Sequence, residues 1–280
     1  MKNPDLSTVL AEEQRIMDEY ATDYDSATLA NSYVYQLERK NFFRWMMKIV
    51  RDAGDPSRMS VLDAGCATGA TLEFLEQEGF AQLTGLDLSP GMLEVANSRA
   101  LSRTTLLQGS IEQPPFRDQY FDVIVSIFTV HHLLDPGAFF RMVDRVLKPG
   151  GHFFLLEYDI DCGVAGTGGE GLRRKLGDLA RACIAWKNRR ALAGKPQLLP
   201  QFNPAHRLLN LAAIREAIPN PERYKLRQES HGFVLPAFLP VLVENSVLDQ
   251  GIVYLAGGID RYLMKSRSGL FQWIVGRRLE

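Results

Sequence analysis

The chain has 280 residues, with 32 Lys and Arg against 33 Asp and Glu, and 46% of its residues are hydrophobic. This length suits one large domain or two small ones, and the balanced charge argues against nucleic-acid binding over the whole surface. The longest apolar run, eleven residues from Phe233, holds two prolines and is too short to span a membrane. The N-terminus lacks the apolar core of a secretory signal, and the three cysteines lack metal-ligand spacing. We therefore expect a soluble cytoplasmic protein without a metal site.

Residues 6–50 contain no proline or glycine and many strong helix formers, so they are predicted to be helical. A polar connector follows, and from Ser60 onward apolar strands alternate with helices. The five predicted strands are SVLDAG, QLTGLDLS, TTLLQGS, FDVIVSIF and HFFLLEY, and the stretch PGAFFRMVDRVLKPGG before the fifth is predicted to be a helix. This alternation is typical of a parallel sheet with helices on both faces.

The alternation ends after the fifth strand. Residues 163–171 have five glycines in nine positions and predict a flexible hinge. A basic helix is predicted within 171–194, and a further helix within 205–218. A strand is predicted from 224, a largely helical stretch in 237–265, and a closing strand in 270–278.

The first strand runs into the stretch VLDAGCATG, in which Gly65 and Gly69 permit a tight turn and a close approach of backbone to a ligand. Open α/β sheets bind ligands at this edge, where the N–H groups of the next helix face the crevice. Asp87 ends the second strand, where a carboxylate is able to accept hydrogen bonds from both hydroxyls of a ribose. A dinucleotide oxidoreductase should show G-x-G-x-x-G, whereas Asp63 beside this turn would repel a pyrophosphate and suits a positive charge. The pattern favours S-adenosylmethionine, which combines an adenosine, a sulfonium and an amino acid.

Five stretches between Ser60 and Glu157, in family order and spacing, resemble the class I S-adenosylmethionine-dependent methyltransferases, in particular the group that includes small-molecule and quinone methyltransferases. These stretches are VLDAGCATG, GLDLSPGMLEVA, LLQGSIEQPPF, FDVIVSIFTVHHLLDP and RVLKPGGHFFLLE. The resemblance implies an α/β fold, a Rossmann-like doubly wound, seven-stranded and mainly parallel sheet, with N-terminal helices and a helical lid insertion after strand five. The expected parts are an N-terminal helical cap (1–58), the S-adenosylmethionine-binding core (59–158), the hinge and basic lid insertion (159–204), and the C-terminal completion of the core with a helical insertion (205–280).

The resemblance also implies roles for single residues. Asp63 and Gly65 would contact the methionine portion of the cofactor, Asp87 the ribose, and Tyr24 would close the pocket. Leu88, Met92 and Ile111 would line the adenine, with Ser110 near its exocyclic amine, and Ser126 and Ile127 would form the floor under the sulfonium. The chain departs from the family at Ser110, where an acid is frequent, and at Ala67, where a glycine is frequent.

Methyl transfer depends mostly on holding the acceptor in line with the methyl group. A general base is needed only where the acceptor must lose a proton. His131 and His132 follow strand four and Glu157 ends strand five, so these three are the candidate catalytic residues. Each has a structural alternative, because the histidines could shape the loop and Glu157 could cap backbone or pair with an arginine.

The basic helix after the hinge has an apolar stripe flanked by Arg and Lys. It is interpreted as a lid with solvated charges, as a lid that attracts an acidic substrate, or as an interfacial helix that makes peripheral contact with anionic lipid. We expect a methyltransferase that acts on an O, N or C atom of a small, apolar or aromatic metabolite and releases S-adenosylhomocysteine. The alternatives are a nucleotide-dependent oxidoreductase and a non-enzymatic S-adenosylmethionine-binding protein. No N/D-P-P-Y motif follows strand four, so a nucleic-acid substrate is not expected.

Overall fold

The computed structural model describes residues 6–25, 33–133, 135–158, 211–231 and 271–280. The helices are α1 (Leu6–Tyr20), α2 (Tyr33–Ala53), α3 (Ala70–Gln77), α4 (Pro90–Ser98), α5 (Pro136–Val146) and α6 (Leu211–Ala217). The strands are β1 (Ser60–Ala64), β2 (Gln82–Asp87), β3 (Thr104–Gln108), β4 (Phe121–Ile127), β5 (Leu147–Tyr158), β6 (Tyr224–His231) and β7 (Phe271–Arg278). The predicted hinge and basic lid helix, and the predicted helical stretch 237–265, lie outside the described residues.

The strands form one seven-stranded sheet in the order β3-β2-β1-β4-β5-β7-β6. β1 pairs in parallel with both β2 and β4, and β7 pairs antiparallel with both β5 and β6. The predicted Rossmann-like, mainly parallel sheet with N-terminal helices is therefore confirmed. Strand order reverses between β1 and β4, and the crevice at the carboxyl ends of these two strands is where such sheets bind ligands.

The sheet separates two apolar clusters. On one face α2 and α3 cover the strands, with Phe42, Met46 and Leu72 fully buried. On the other face α5 and α6 cover them, with Phe139 and Ile214 fully buried. Because neighbouring residues of a strand point to opposite faces, a sheet covered on both sides is built from continuous apolar runs, as the sequence of β4 predicts.

Two of the helices that flank the crevice begin with a capping residue followed by proline. The Ser89 hydroxyl accepts a hydrogen bond from the Met92 N–H at 3.0 Å, and Pro90 is the first residue of α4. Asp135 accepts a hydrogen bond from the Gly137 N–H at 2.9 Å at the start of α5. These caps satisfy N–H groups that have no partner within the helix.

The fifth helix ends shortly before the proline and glycines that were predicted to end it. α5 ends at Val146, and Leu147 already pairs with Phe121 of β4. Pro149 has no N–H for a helix to use, and Gly150 has a positive φ of 79°, which a right-handed helix does not contain. β5 is therefore longer than predicted.

The second N-terminal helix is fixed to the far edge of the sheet. The Phe42 ring lies 6.1 Å from the Trp273 ring of β7, and Trp45 Nε1 donates to Glu229 Oε1 of β6 at 2.9 Å. These contacts hold α2 at a defined position over β6 and β7. In the part of the chain that the structure describes, no helix is long and apolar enough to cross a membrane.

Candidate cofactor and active site

The turn after β1 combines tight backbone geometry with a close contact to the loop after β4. Gly65 and Gly69 have φ values of 80° and 79°, a region in which residues with a Cβ are strained. A Cβ on Gly65 would lie 2.3 Å from Thr129 Cγ2, so no side chain fits there. Ala67 also has a positive φ, 44°, which gives a physical reason for the frequent glycine at this position of the family pattern. The turn thus brings backbone directly to the switch point of the sheet.

Asp87 fastens the turn to the end of β2. Its Oδ2 accepts from the Ala67 N–H at 2.8 Å and its Oδ1 from the Ser89 N–H at 2.9 Å. Burial raises the pKa of Asp87 above its usual value, and the backbone hydrogen bonds from Ser89 and Ala67 oppose that rise. Since each carboxylate oxygen has two lone pairs, Asp87 is able to hold the turn and still accept hydrogen bonds from a ligand.

Asp63, at the end of β1, is a buried acid with an unsatisfied oxygen. Its side chain is 1% exposed, and Oδ2 has no hydrogen-bond partner in the described part of the chain. Burial raises the pKa of Asp63 to about 7, with the Arg39 charge acting to lower it and Asp87 acting to raise it further. An orphaned buried acceptor is costly, and the ammonium group of S-adenosylmethionine is a donor of the right charge to satisfy it.

The predicted adenine side is apolar, with one polar corner. Met92 and Ile111 are buried and Leu88 is half-buried. The Ser110 hydroxyl accepts from the Glu112 N–H at 3.1 Å. Sequence reasoning did not single out Glu112, whose Oε1 is buried without a hydrogen-bond partner among the described residues. Glu112 therefore provides a carboxylate at this corner, two residues after Ser110, where the family often has an acid.

The predicted floor of the site lies at the end of β4. The Ser126 side chain is fully buried and its hydroxyl donates to the Ala64 carbonyl of β1 at 2.8 Å. It therefore joins the two strands at the switch point. Ile127 is half-buried beside it, and Phe128, with a positive φ of 51°, turns the chain away from the sheet.

Glu157 of β5 organises the loop that carries the two histidines. Its Oε1 accepts from the N–H groups of Thr129 and Val130 at 3.0 and 2.7 Å, and its Oε2 lies 2.7 Å from His131 Nδ1. Glu157 and His131 are 1% and 6% exposed, whereas His132 is half-buried with its ring centroid 4.2 Å from that of His131. Because a carboxylate only accepts hydrogen bonds, Nδ1 of His131 carries the hydrogen. Glu157 thus contacts backbone, which was the structural alternative to a catalytic role, and it also orients His131, a candidate base.

The N-terminal helices reach this edge through acidic side chains that the sequence pattern did not single out. Asp18 of α1 accepts from the Gly91 N–H at 2.9 Å and from the Ser89 hydroxyl, so it holds the start of α4. Tyr24 is half-buried, and its ring packs edge-on against Tyr20 at 5.4 Å. These contacts place the segment with Tyr24 beside the start of the helix that follows β2.

Asp25 and Arg99 form a second link between the N-terminal segment and the turn. Asp25 Oδ1 accepts from the Thr68 hydroxyl at 2.7 Å, and its Oδ2 pairs with Arg99 Nη2. Arg99 also donates to the Thr68 carbonyl and to Glu73 Oε2, both at 2.6 Å. The residue after Tyr24 is therefore bound directly to the glycine turn.

The structure brings most of the predicted site residues to one edge of the sheet. Asp63, Asp87, Ser126 and Glu157 all stand at the carboxyl ends of parallel strands, and the N-terminal segment packs on the same edge. The sequence profile of the methyltransferase domain family matches residues 62–155, which contain all of these except the last. The chain carries a class I S-adenosylmethionine-dependent methyltransferase domain. The resemblance inferred from the five motifs is thereby confirmed, and the cofactor of this methyltransferase domain is S-adenosylmethionine.

Curated methyltransferases are similar to this chain over about half of its length or less. The demethylmenaquinone methyltransferase of Tropheryma whipplei (strain Twist) is 30% identical over 152 residues, which are 53% of this chain and 59% of the relative. The ubiquinone biosynthesis O-methyltransferase of Yersinia enterocolitica is 36% identical over 111 residues, 38% of this chain and 46% of the relative. The chain thus spans about half the length of the curated relatives it matches.

A solved structure extends the similarity of fold further. The Haemonchus contortus phosphoethanolamine N-methyltransferase 2, solved with phosphomonomethylethanolamine and S-adenosylhomocysteine, has a TM-score of 0.54 and 18% identity, covering 95% of this chain and 59% of that chain. At this identity the likeness shows that the two chains share the fold.

The contacts of Glu157 predict a loss of stability when its charge is removed. In Glu157→Gln the remaining oxygen still accepts from the backbone, but the new amide opposes the hydrogen on His131 Nδ1. We expect the free energy of unfolding, measured by urea denaturation, to fall by about 2–4 kcal/mol. The exposed Glu94→Gln is the control, with a change below about 0.5 kcal/mol. Equal changes in the two variants would contradict this role of Glu157.

The raised pKa of Asp63 predicts a pH-dependent penalty on the cofactor-free fold. With a pKa of about 7 in the folded chain against 3.8 ordinarily, Asp63 keeps its proton in the folded state while the unfolded state has lost it. Its contribution to stability therefore falls as pH rises between these values, by up to about 1.4 kcal/mol per pH unit. Asp63→Asn removes this loss, so its free energy of unfolding relative to wild type should increase from pH 5 to pH 8.

Urea unfolding at four pH values measures this difference. The exposed Asp118→Asn is the matched control, and its difference from wild type should stay constant over the same range. A constant difference for Asp63→Asn as well would contradict the raised pKa.

Proposed function

We propose that this protein is a methyltransferase that moves a methyl group from S-adenosylmethionine to an O, N or C atom of a small, apolar or aromatic metabolite. The observation that carries the proposal is the pair of acids at the ends of β1 and β2, on either side of a glycine turn: Asp63 is buried and Asp87 is half-buried. The buried, unsatisfied Oδ2 of Asp63 suits the ammonium of the cofactor and opposes a pyrophosphate. The names of two curated relatives, a demethylmenaquinone methyltransferase and a ubiquinone biosynthesis O-methyltransferase, favour a quinone-like aromatic acceptor.

The proposal gives each part of the cofactor its own set of residues. Asp63 and Gly65 contact the methionine portion, Asp87 accepts from the ribose hydroxyls, and Tyr24 closes the pocket. The adenine lies against Leu88, Met92 and Ile111, with Ser110 at its exocyclic amine, and Ser126 and Ile127 lie under the sulfonium. The buried Oε1 of Glu112 is a second acceptor at the amine, in place of the acid that the family often has at position 110.

The reaction requires the protein mainly to position the acceptor atom. When bound, S-adenosylmethionine supplies an electrophilic methyl carbon. The chain's part is to hold the acceptor atom in line with that carbon, which alone is worth much of the acceleration. Where the acceptor is a hydroxyl or a protonated amine, we assign the uptake of its proton to His131 or His132. Glu157 is then a positioning residue, because it holds the His131 ring through Nδ1.

The oxidoreductase alternative is not favoured, since the matching domain is a methyltransferase domain and the turn lacks the G-x-G-x-x-G spacing. The predicted contact of the basic lid helix with a membrane surface falls on residues outside the described ranges and stays a prediction. So does the acceptor cavity that the lid would help to form.

Calorimetric titration with S-adenosylhomocysteine tests the cofactor placement. Asp87→Asn should weaken its binding about 10- to 100-fold, because a charge-assisted hydrogen bond to the ribose is lost. A 2′-deoxy analogue lacks one of the two hydroxyls, so its affinity should fall by a smaller factor in the variant. Asp118→Asn should leave both affinities within about twofold. Equal losses for the two ligands would mean that Asp87 acts only through the turn.

Transfer of a labelled methyl group from S-adenosylmethionine to a panel of aromatic hydroxyl, aromatic carbon and amine acceptors tests the activity. If His131 or His132 takes the proton, replacing it with Gln should slow transfer to a hydroxyl acceptor about 10²- to 10⁴-fold, with S-adenosylhomocysteine affinity unchanged. Unchanged rates in both variants would leave the histidines a role in the loop only. Binding of the cofactor without transfer to any acceptor would favour the non-enzymatic alternative.

A further inference from the structure

Three basic side chains form a row across the sheet, at the edge opposite the cofactor crevice. His152 of β5 pairs with Arg277 of β7, and Arg277 pairs with Lys225 of β6. Residues directly opposite one another on antiparallel strands share a face of the sheet, with Cβ atoms about 4.5–5.5 Å apart. His152 precedes Phe154 by two positions, so this basic row lies on the face that α2 covers.

His152 is a buried polar side chain whose ring makes no hydrogen bond to the described residues. It is 8% exposed, and its ring stacks on the Phe154 ring at a centroid distance of 6.0 Å. Burial holds the pKa of His152 below its usual value, and the Arg277 charge lowers it further. An imidazole always carries at least one N–H, and leaving such a donor buried and unpaired is unfavourable. His152 therefore has a donor available for a ligand beside a cation.

The two other members of the basic row carry charges that the described part of the chain does not neutralise. Arg277 and Lys225 are exposed, and neither forms an ion pair with a described residue. Like charges directly opposite one another on neighbouring strands are destabilising. Arg227, the next basic residue of β6 on this face, differs because it pairs with Glu229. An anion over the basic row would offset the repulsion between Arg277 and Lys225.

A tetrahedral oxyanion suits three donor groups from three strands, because it has an oxygen for each of them, whereas a carboxylate has only two. We propose that the basic row binds a phosphate group, with the His152 ring N–H and the Arg277 guanidinium donating to its oxygens and the Lys225 ammonium beside them. Arginine is well suited to this role, since its forked donors match phosphate geometry. Glu157 lies five residues further along β5, about 17 Å away. The site is thus separate from the methyl-transfer site, and the inference does not rest on the proposed function.

Titration with sulfate and inorganic phosphate, followed by the NMR shifts of the β6 and β7 amides, tests the site. His152→Phe retains an aromatic ring against Phe154, and Arg277→Met removes an exposed charge. Each should weaken both anions about 3- to 10-fold. Arg215→Met is the control, because Arg215 is exposed on α6, which covers the other face of the sheet. At a constant ionic strength of about 0.15 M, charges that far away are screened, so its affinities should stay within about twofold.

The pH dependence of sulfate binding tests the part assigned to His152. Sulfate keeps its charge between about pH 5.5 and 8, the range in which histidine titrates. A bound anion stabilises the charged ring against Arg277, so sulfate should raise the measured pKa of His152, and its affinity should fall as pH rises. Lys148 and Asp122, paired at 2.7 Å at the same edge, do not titrate in this range. His152→Phe should remove the pH dependence, and a dependence that persists in this variant would contradict the assignment.

Two further ligands distinguish a soluble phosphate ester from a lipid headgroup. Glycerol 3-phosphate presents the group in solution, and vesicles of phosphatidylglycerol in phosphatidylcholine present it on a surface, with phosphatidylcholine alone as the blank. Whichever of the two loses affinity in Arg277→Met and Lys225→Met, but not in Arg215→Met, identifies the source. If His152→Phe does not fold, these exposed substitutions carry the comparison. Equal losses in Arg215→Met, or no loss in Arg277→Met for any of the anions, would overturn the inference.

Discussion

The hydrogen bond from the Ala67 N–H to the Asp87 carboxylate is the contact on which the site depends. It joins the turn after β1 to the end of β2. It thereby holds the backbone of the turn in a conformation in which Ala67 has a positive φ. On the other side of the turn, the contact of Gly65 with Thr129 leaves no room for a side chain. The turn is thus held from two sides, and ligand-facing backbone is positioned before any ligand arrives, which lowers the ordering cost of binding.

The same edge of the sheet contains acidic side chains whose burial does not stabilise the fold. Asp63 is buried with an unsatisfied oxygen, and Asp87 is held by backbone donors while burial disfavours its ionised form. A core built only for stability would place apolar residues at such positions, since replacing buried polar groups by apolar ones of similar shape is often neutral or stabilising. Perturbed acids at a switch point are therefore better explained by a ligand than by packing.

The sequence predicts those features that depend on near neighbours along the chain. The strand–turn–helix units show strong periodicity, so the parallel strands and the glycine turn are predictable, and the family resemblance implied the seven-stranded sheet. The end of α5 is not, because the choice between helix and strand at Leu147 is made by pairing with Phe121, 26 residues away. The same limit hides which backbone groups Glu157 contacts, although a backbone contact was one of its predicted alternatives. Its partners Thr129 and Val130 are 28 and 27 residues distant, and no local pattern marks them.

Arg39 and Arg99 show why charged residues near the site were also missed. Each lies on or just after a helix among other charged residues, and only the tertiary structure shows which of them turns inward. Arg99 donates to the Thr68 carbonyl and pairs with Asp25, so the glycine turn and the N-terminal segment share one guanidinium group. A displacement of that segment would remove a partner from the glycine turn. The N-terminal segment and the glycine turn are therefore parts of one structural unit, although the family match begins only at residue 62.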